Sequence, residues 1–212
     1  LEALNIKKGD EIITTTHTFT ATAEVIRYFG ANPIFIDIDP DTLCIDHRLL
    51  EEAITPKTKA IIPVHFAGLS AEMDSILSFA KSNNIFVIED AAHALPTYYK
   101  NNLIGTLNSD VTVFSFYANK TMTTGEGGMV VTRNKDIVER VKRMRLHGID
   151  RDAFNRFKSN TPAWFYDVIA PGYKYNMTDI AASIGIHQLS KINKFQKERE
   201  EIASIYDESL LN

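Results

Sequence analysis

Short runs of apolar, largely β-branched residues recur along the chain at 11–16, 33–38, 59–66, 85–89, 110–116 and 128–132. Stretches with helical spacing lie between many of them, at 20–29, 47–54, 71–83 and 135–145. Strands that alternate with helices predict α/β layers around a mostly parallel sheet, because parallel neighbours need a crossover connection. The strands KAIIPVHF and NIFVIED are apolar almost throughout. That pattern fits strands covered on both faces, hence a three-layer α/β/α arrangement. From residue 176 onward the chain reads as helix, with Ile180, Ile184 and Leu189 and then a charged stretch at 191–208. Residues 148–172 mix aromatics, prolines and polar groups and read as a loop.

The composition agrees with a folded domain. The 212 residues are 44% hydrophobic and 24% charged, which excludes a disordered tail, a collagen-like fibre and a disulfide scaffold. A net charge of −4 gives no reason to expect nucleic acid or an anionic membrane as partner. The basic run at 133–145 also contains Asp136 and Glu139, so it reads as a solvated helix face. The single cysteine, Cys44, forms no internal disulfide and fits a reducing, cytoplasmic setting. No apolar run approaches the ~20 residues that span a bilayer. The opening LEALNIKKGDEII reads as a helix end running into a strand, and the chain stops within a charged helical pattern. Both ends therefore point to a piece of a longer subunit.

In open α/β sheets, ligands sit beyond the carboxyl ends of the strands. Three clusters hold such positions: Glu89, Asp90 and His93; residues 115–120; and residues 65–68. In IFVIEDAAHA, an Asp closing a buried strand needs a cation or several donors. Capping the turn at 91–94 is the simpler use of Asp90. In FSFYANKTMTTGEGG, a lysine follows a buried strand among hydroxylated residues and glycines. Alone, Lys120 reads as a surface lysine, and the loop as a phosphate cradle or merely a loop. Together the two segments meet the needs of pyridoxal 5′-phosphate: a lysine for a Schiff base, a carboxylate to keep the pyridinium protonated, and donors for the phosphate. A dinucleotide or nucleoside-triphosphate fold is disfavoured, since neither G-x-G-x-x-G nor G-x-x-x-x-G-K-[ST] occurs.

The segments TTTHTFTATAEVI, VIEDAAHA, FSFYANKTMTTGEGG and PGYKYNMTDIAASIGIHQL resemble the DegT/DnrJ/EryC1/StrS family of pyridoxal-phosphate-dependent sugar aminotransferases. The resemblance runs from about residue 9 to the end. AITPKTKAIIPVHFAG and APGYKYNMTDI are similar to the branch containing UDP-4-amino-4-deoxy-L-arabinose–oxoglutarate aminotransferase.

The resemblance implies the large domain of the fold-type I enzymes over 1–190, lacking its N-terminal part. Residues 191–212 would begin the helix leading to a small C-terminal domain. It implies Lys120 as the Schiff-base lysine and proton carrier, Asp90 as partner of the pyridine nitrogen, and His93 near the ring's O3′. Ser115 would bind the phosphate, and Phe19 would stack on the ring unless it is a core aromatic. Relatives often read GYNYRMTD, and that Asn reaches the neighbouring subunit's phosphate in a homodimer with shared active sites. Here GYKYNMTD puts Lys174 in that place and Asn176 two residues on. Dehydratases of the family carry His where Lys120 stands, so Lys120 favours transamination. The implied reaction takes an amino group from glutamate, releases 2-oxoglutarate, and aminates a nucleotide-linked keto-sugar at C4. Its product would serve lipopolysaccharide, cell-surface polysaccharide or related amino-sugar synthesis. His65 and His147 are candidates for the sugar pocket, with a satisfied structural histidine as the alternative for each. The competing reading is a cofactor-binding homologue used for regulation rather than turnover.

Overall fold

The computed structural model describes residues 1–150 and 166–210. After a 3-10 turn at Glu2–Leu4, strand β1 (Glu11–Thr15) leads through helix α1 (Thr20–Tyr28) to β2 (Asn32–Ile36). A 3-10 turn and the short α2 (Leu50–Ala53) precede β3 (Thr58–Ile62); α3 (Met73–Asn83) then precedes β4 (Phe86–Asp90). Next come a small hairpin, β5 (Tyr98–Tyr99) with β6 (Asn102–Leu103), and β7 (Val111–Ser115). The order closes with β8 (Gly128–Val131), α4 (Lys135–Met144), α5 (Asp179–Leu189) and α6 (Ile192–Leu210).

Six strands form one sheet in the order β2-β1-β3-β4-β7-β8. All neighbours are parallel except β7 and β8. Successive residues of a strand point to opposite faces, and the core shows this directly. Ile12 and Ile13 are both 0% exposed yet belong to different clusters. Ile13, Ile61 and Val87 pack with Met73 and Ile76 of α3. Ile12, Ala60, Ile62 and Ile88 pack with Ile26 of α1 and Ile137 of α4. Both faces are therefore covered, as the unbroken apolar strands require.

Local chemistry sets the element boundaries. Asn134 caps α4, its Oδ1 accepting the amides of Asp136 at 2.9 Å and Ile137 at 3.3 Å. Thr178 caps α5, its hydroxyl accepting the Ala181 amide at 3.2 Å. The helix expected from residue 176 thus starts at Asp179, and it breaks before α6. The stretch 47–54, expected as one helix, divides because Asp46 caps a 3-10 turn first. Most of the loop expected at 148–172 lies outside the described residues. Its ends pair as Ile149 with Val168. Three of the basic residues near α4 are engaged within the chain: Arg133 with Thr106 and Asn108, Arg140 with Glu2, Lys142 with Glu139. No helix among the described residues is long and apolar enough to cross a membrane.

The turn carrying Lys120 lies between antiparallel β7 and β8. The Phe116 amide donates to the Gly127 carbonyl at 2.8 Å, and the Thr124 amide to the Phe116 carbonyl at 3.0 Å. At Gly128, paired with Ser115, a Cβ would lie 2.7 Å from the Phe114 carbonyl oxygen. Backbone there cannot yield cheaply. Gly128→Ala is expected to cost about 1–3 kcal/mol through overpacking and to loosen this turn. A urea midpoint unchanged from wild type would contradict that.

Candidate active site

Asp90 is the last residue of β4, one residue beyond the expected strand end, and sits between β3 and β7. Its amide donates to the Pro63 carbonyl at 2.9 Å, and its carbonyl accepts the His65 amide at 3.0 Å. Its carboxylate has two neutral donors. Oδ1 accepts the Ala92 amide at 3.1 Å, which is the expected turn cap. Oδ2 accepts the Thr22 hydroxyl at 2.8 Å, and Thr22 is itself bonded to Thr18 at 2.8 Å. Thr22 lies in the first turn of α1, whose positive dipole end favours an anion. No cation forms an ion pair with Asp90 among the described residues. A half-buried carboxylate, oriented by neutral groups and short of a countercharge, suits a protonated pyridine nitrogen.

Lys120 lies in the turn after β7, its amide bonded to the Tyr117 carbonyl at 3.0 Å. It lines an open pocket of about 260 Å³ together with Ala67, His93, Asn119, Thr121 and Arg199. His93 accepts the Ala67 amide at Nδ1 over 3.3 Å, and its ring stands edge-on to Phe66 at 6.2 Å. Partial burial, then the Lys120 charge, holds the imidazole below its ordinary pKa, against an opposing pull from Asp90. His93 is therefore neutral near pH 7, which leaves Nδ1 able to accept. Ser115 closes β7; its hydroxyl oxygen accepts the Tyr117 amide at 3.3 Å, so its proton is available to a ligand. Phe19 stands at the N-cap of α1, next to the threonines that hold Asp90, and is 80% exposed. Among the described residues it is therefore not a core aromatic.

Lys174, Asn176 and His147 are not among the residues that line this pocket. Lys174 and Asn176 are bonded to each other, Nζ donating to Oδ1, on the segment that bridges to Leu146. His147 is exposed in a left-handed conformation at φ 57°, its amide donating to the Tyr173 carbonyl at 2.7 Å. His65 corrects an expectation. It is 0% exposed, so it lines no sugar pocket. Its Nδ1 accepts the Ala71 amide at 3.2 Å, which leaves the proton on Nε2 to be donated to Glu89 at 2.9 Å. Glu89 also accepts the hydroxyls of Ser109 and of Thr112, the latter at 2.7 Å. Burial pushes the Glu89 carboxyl up, but the bonds from His65, Ser109 and Thr112 more than offset this and hold it below its ordinary value.

Reading strand ends alone misses Thr22 and Arg199, since both sit on helices. Thr18 stands just before α1 and Thr22 in its first turn, and nothing in their spacing singles out Thr22 in the sequence.

The fold, a mostly parallel sheet covered by helices on both faces, is shared with solved aminotransferases. The chain belongs to the DegT/DnrJ/EryC1/StrS aminotransferase family, whose model matches residues 1–212. It is 57% identical over 212 residues to an uncharacterized protein of Methanocaldococcus jannaschii, covering 100% of this chain and 54% of that protein. It is 50% identical over 206 residues to the spore coat polysaccharide biosynthesis protein SpsC of Bacillus subtilis, covering 97% and 52%. The chain thus spans about half the length of the curated relatives it matches. Among solved structures, the aminotransferase TlmJ from Streptoalloteichus hindustanus superposes with a TM-score of 0.89 at 32% identity, covering 100% of this chain and 54% of that one. The Streptococcus pneumoniae protein Spr1654 in its PMP-form gives 0.87 at 36%, covering 98% and 57%. It has also been solved in a PLP-form.

Proposed function

We propose that this chain is the cofactor-binding body of a pyridoxal-phosphate-dependent aminotransferase that moves an amino group from glutamate to a nucleotide-linked 4-keto-sugar. The observation that carries the reading is that Lys120 and a strand-end Asp90, the latter held by neutral donors, both lie near enough to His93 to act on its charge. When bound, pyridoxal phosphate acts as an electron sink for the carbanion left by Cα deprotonation. Lys120 supplies the amine that anchors the cofactor and, once released, carries the proton. Asp90, fixed by Thr22 and Ala92, keeps the ring nitrogen protonated. Neutral His93 would lie on the O3′ side, Ser115 would donate to the phosphate, and Phe19 would cover the ring. Lys174 and Asn176 would serve the partner subunit's phosphate in a homodimer with shared sites, and exposed His147 is the remaining candidate for the sugar. Residues 1–190 form the large-domain body, and 191–212 begin the connection to a small domain.

The likeness to SpsC supports a product used in cell-surface polysaccharide. A cytoplasmic location, where nucleotide sugars are made, belongs to the same proposal. The direct test is a glutamate half-reaction on the full-length, cofactor-loaded protein, followed by a screen of UDP- and dTDP-linked 4-keto-sugars. Asp90→Asn keeps the shape but removes the charge that faces the pyridinium. It is expected to lower the half-reaction rate roughly 10²-fold, as for loss of one preorganised electrostatic group. A rate within a few-fold of wild type would remove Asp90 from this role.

A further inference from the structure

Arg199 stands out among the charges of α6. Lys194 pairs with Glu198 at 3.7 Å, Lys197 with Glu201 at 3.8 Å, and Gln196 bonds to Glu200 at 2.9 Å. The positions three and four residues from Arg199 are Phe195, Gln196, Ile202 and Ala203, none of them acidic. Its guanidinium accordingly has no ion pair among the described residues. It lines the pocket that holds Lys120, from helix α6. That pocket has two cationic side chains, Lys120 and Arg199, and no acidic one. Phe195, Ile202 and Tyr206 border an adjoining apolar cavity, which places this face of α6 against Thr121 beside the lysine.

An unpaired guanidinium is a planar fork of donors suited to carboxylate or phosphate. The lining decides between the sources. The adjoining cavity of about 670 Å³, which Arg199 and Thr121 also line, is walled mainly by Phe195, Ile202, Ala203 and Tyr206. It carries the acidic Glu198 and offers a diphosphate no second cation, whereas beside Lys120 a small carboxylate meets two cations and no acid. We infer that Arg199 anchors a carboxylate of the dicarboxylic amino donor above Lys120. This inference deepens the aminotransferase reading and rests on it.

The test uses Arg199→Gln and Arg199→Lys in the full-length, pyridoxal-phosphate-loaded protein. Calorimetry gives the Kd for 2-oxoglutarate, and single-turnover kinetics give the glutamate Kd and limiting rate. Arg199→Gln is expected to weaken both affinities about tenfold or more, the scale of a charged hydrogen bond. Arg199→Lys restores part of that loss, because charge returns without the fork. The limiting rate and the affinities for pyridoxal phosphate and UDP stay within about threefold. Unchanged 2-oxoglutarate affinity overturns the assignment. A loss that falls on UDP or on pyridoxal phosphate also overturns it, and moves Arg199 to a phosphate. Wild-type protein that binds 2-oxoglutarate but shows no glutamate turnover defeats the aminotransferase reading, and the calorimetric comparison still decides Arg199.

Discussion

Lys120→Ala is expected to abolish the ~420 nm absorbance that this cofactor class shows when held by a lysine, and to lower the glutamate half-reaction by at least about 10⁴-fold. The size of the effect follows from the lysine's two uses. In the proposed reaction its amine would anchor the cofactor, and the same amine would then carry the proton. Neither task passes to a neighbour. His93 is held neutral and has its Nδ1 bonded to Ala67, and the other pocket cation, Arg199, cannot act as a base at ordinary pH. Lys120 is half-buried in a turn tied to β7 and β8, so truncation removes a side chain without opening the core. The thermal midpoint should therefore stay near wild type. Residual turnover within about 100-fold of wild type would show that another base serves the reaction.

The second large effect is on stability. Glu89→Ala removes a 0%-exposed carboxylate that accepts from His65, Ser109 and Thr112, and strands those donors in the interior. Leaving buried neutral donors unsatisfied costs about 1–3 kcal/mol for each group, a large share of the ~5–15 kcal/mol available to a domain. The pH sign is definite. The folded Glu89 carboxyl titrates below its ordinary value of 4.5, so the unfolded chain takes up the proton first as pH falls. Its contribution is complete above that ordinary value and fades as pH drops through the lower folded one. Urea titrations from pH 7 to pH 3 should show this acid limb in wild type and a flatter one in Glu89→Gln. A loss under about 1 kcal/mol for Glu89→Ala would mean that water satisfies the stranded groups.

These two residues also show what the sequence discloses and what it hides. Glu89 and Asp90 are adjacent carboxylates at one strand end, and composition does not tell them apart. Strand alternation sends one into the closed interior and the other toward the α1 turn. An expected strand end at 89 rather than 90 leaves that division open. The sheet itself was legible because NIFVIED and KAIIPVHF are apolar on both faces. The β5–β6 hairpin was not, since two-residue strands carry no period. Lys120 and Asp90 were visible as strand-end residues. Thr22 was hidden because its role depends on where α1 packs over β4, a contact 68 residues apart in the chain. Arg199 was hidden for a similar reason, inside a helix whose other charges form ordinary i,i+4 pairs. His65 was ambiguous because a histidine in PVHFAG reads alike whether it faces a ligand or a buried glutamate.

The central claim is that one lysine, Lys120 in the turn after β7, holds the cofactor. Borohydride reduction of the pyridoxal-phosphate-loaded, full-length protein, followed by peptide mapping, tests it most directly. The account predicts a pyridoxyl label on Lys120 alone, absent from Lys120→Ala. A label on another lysine, or no label despite bound cofactor, would contradict it.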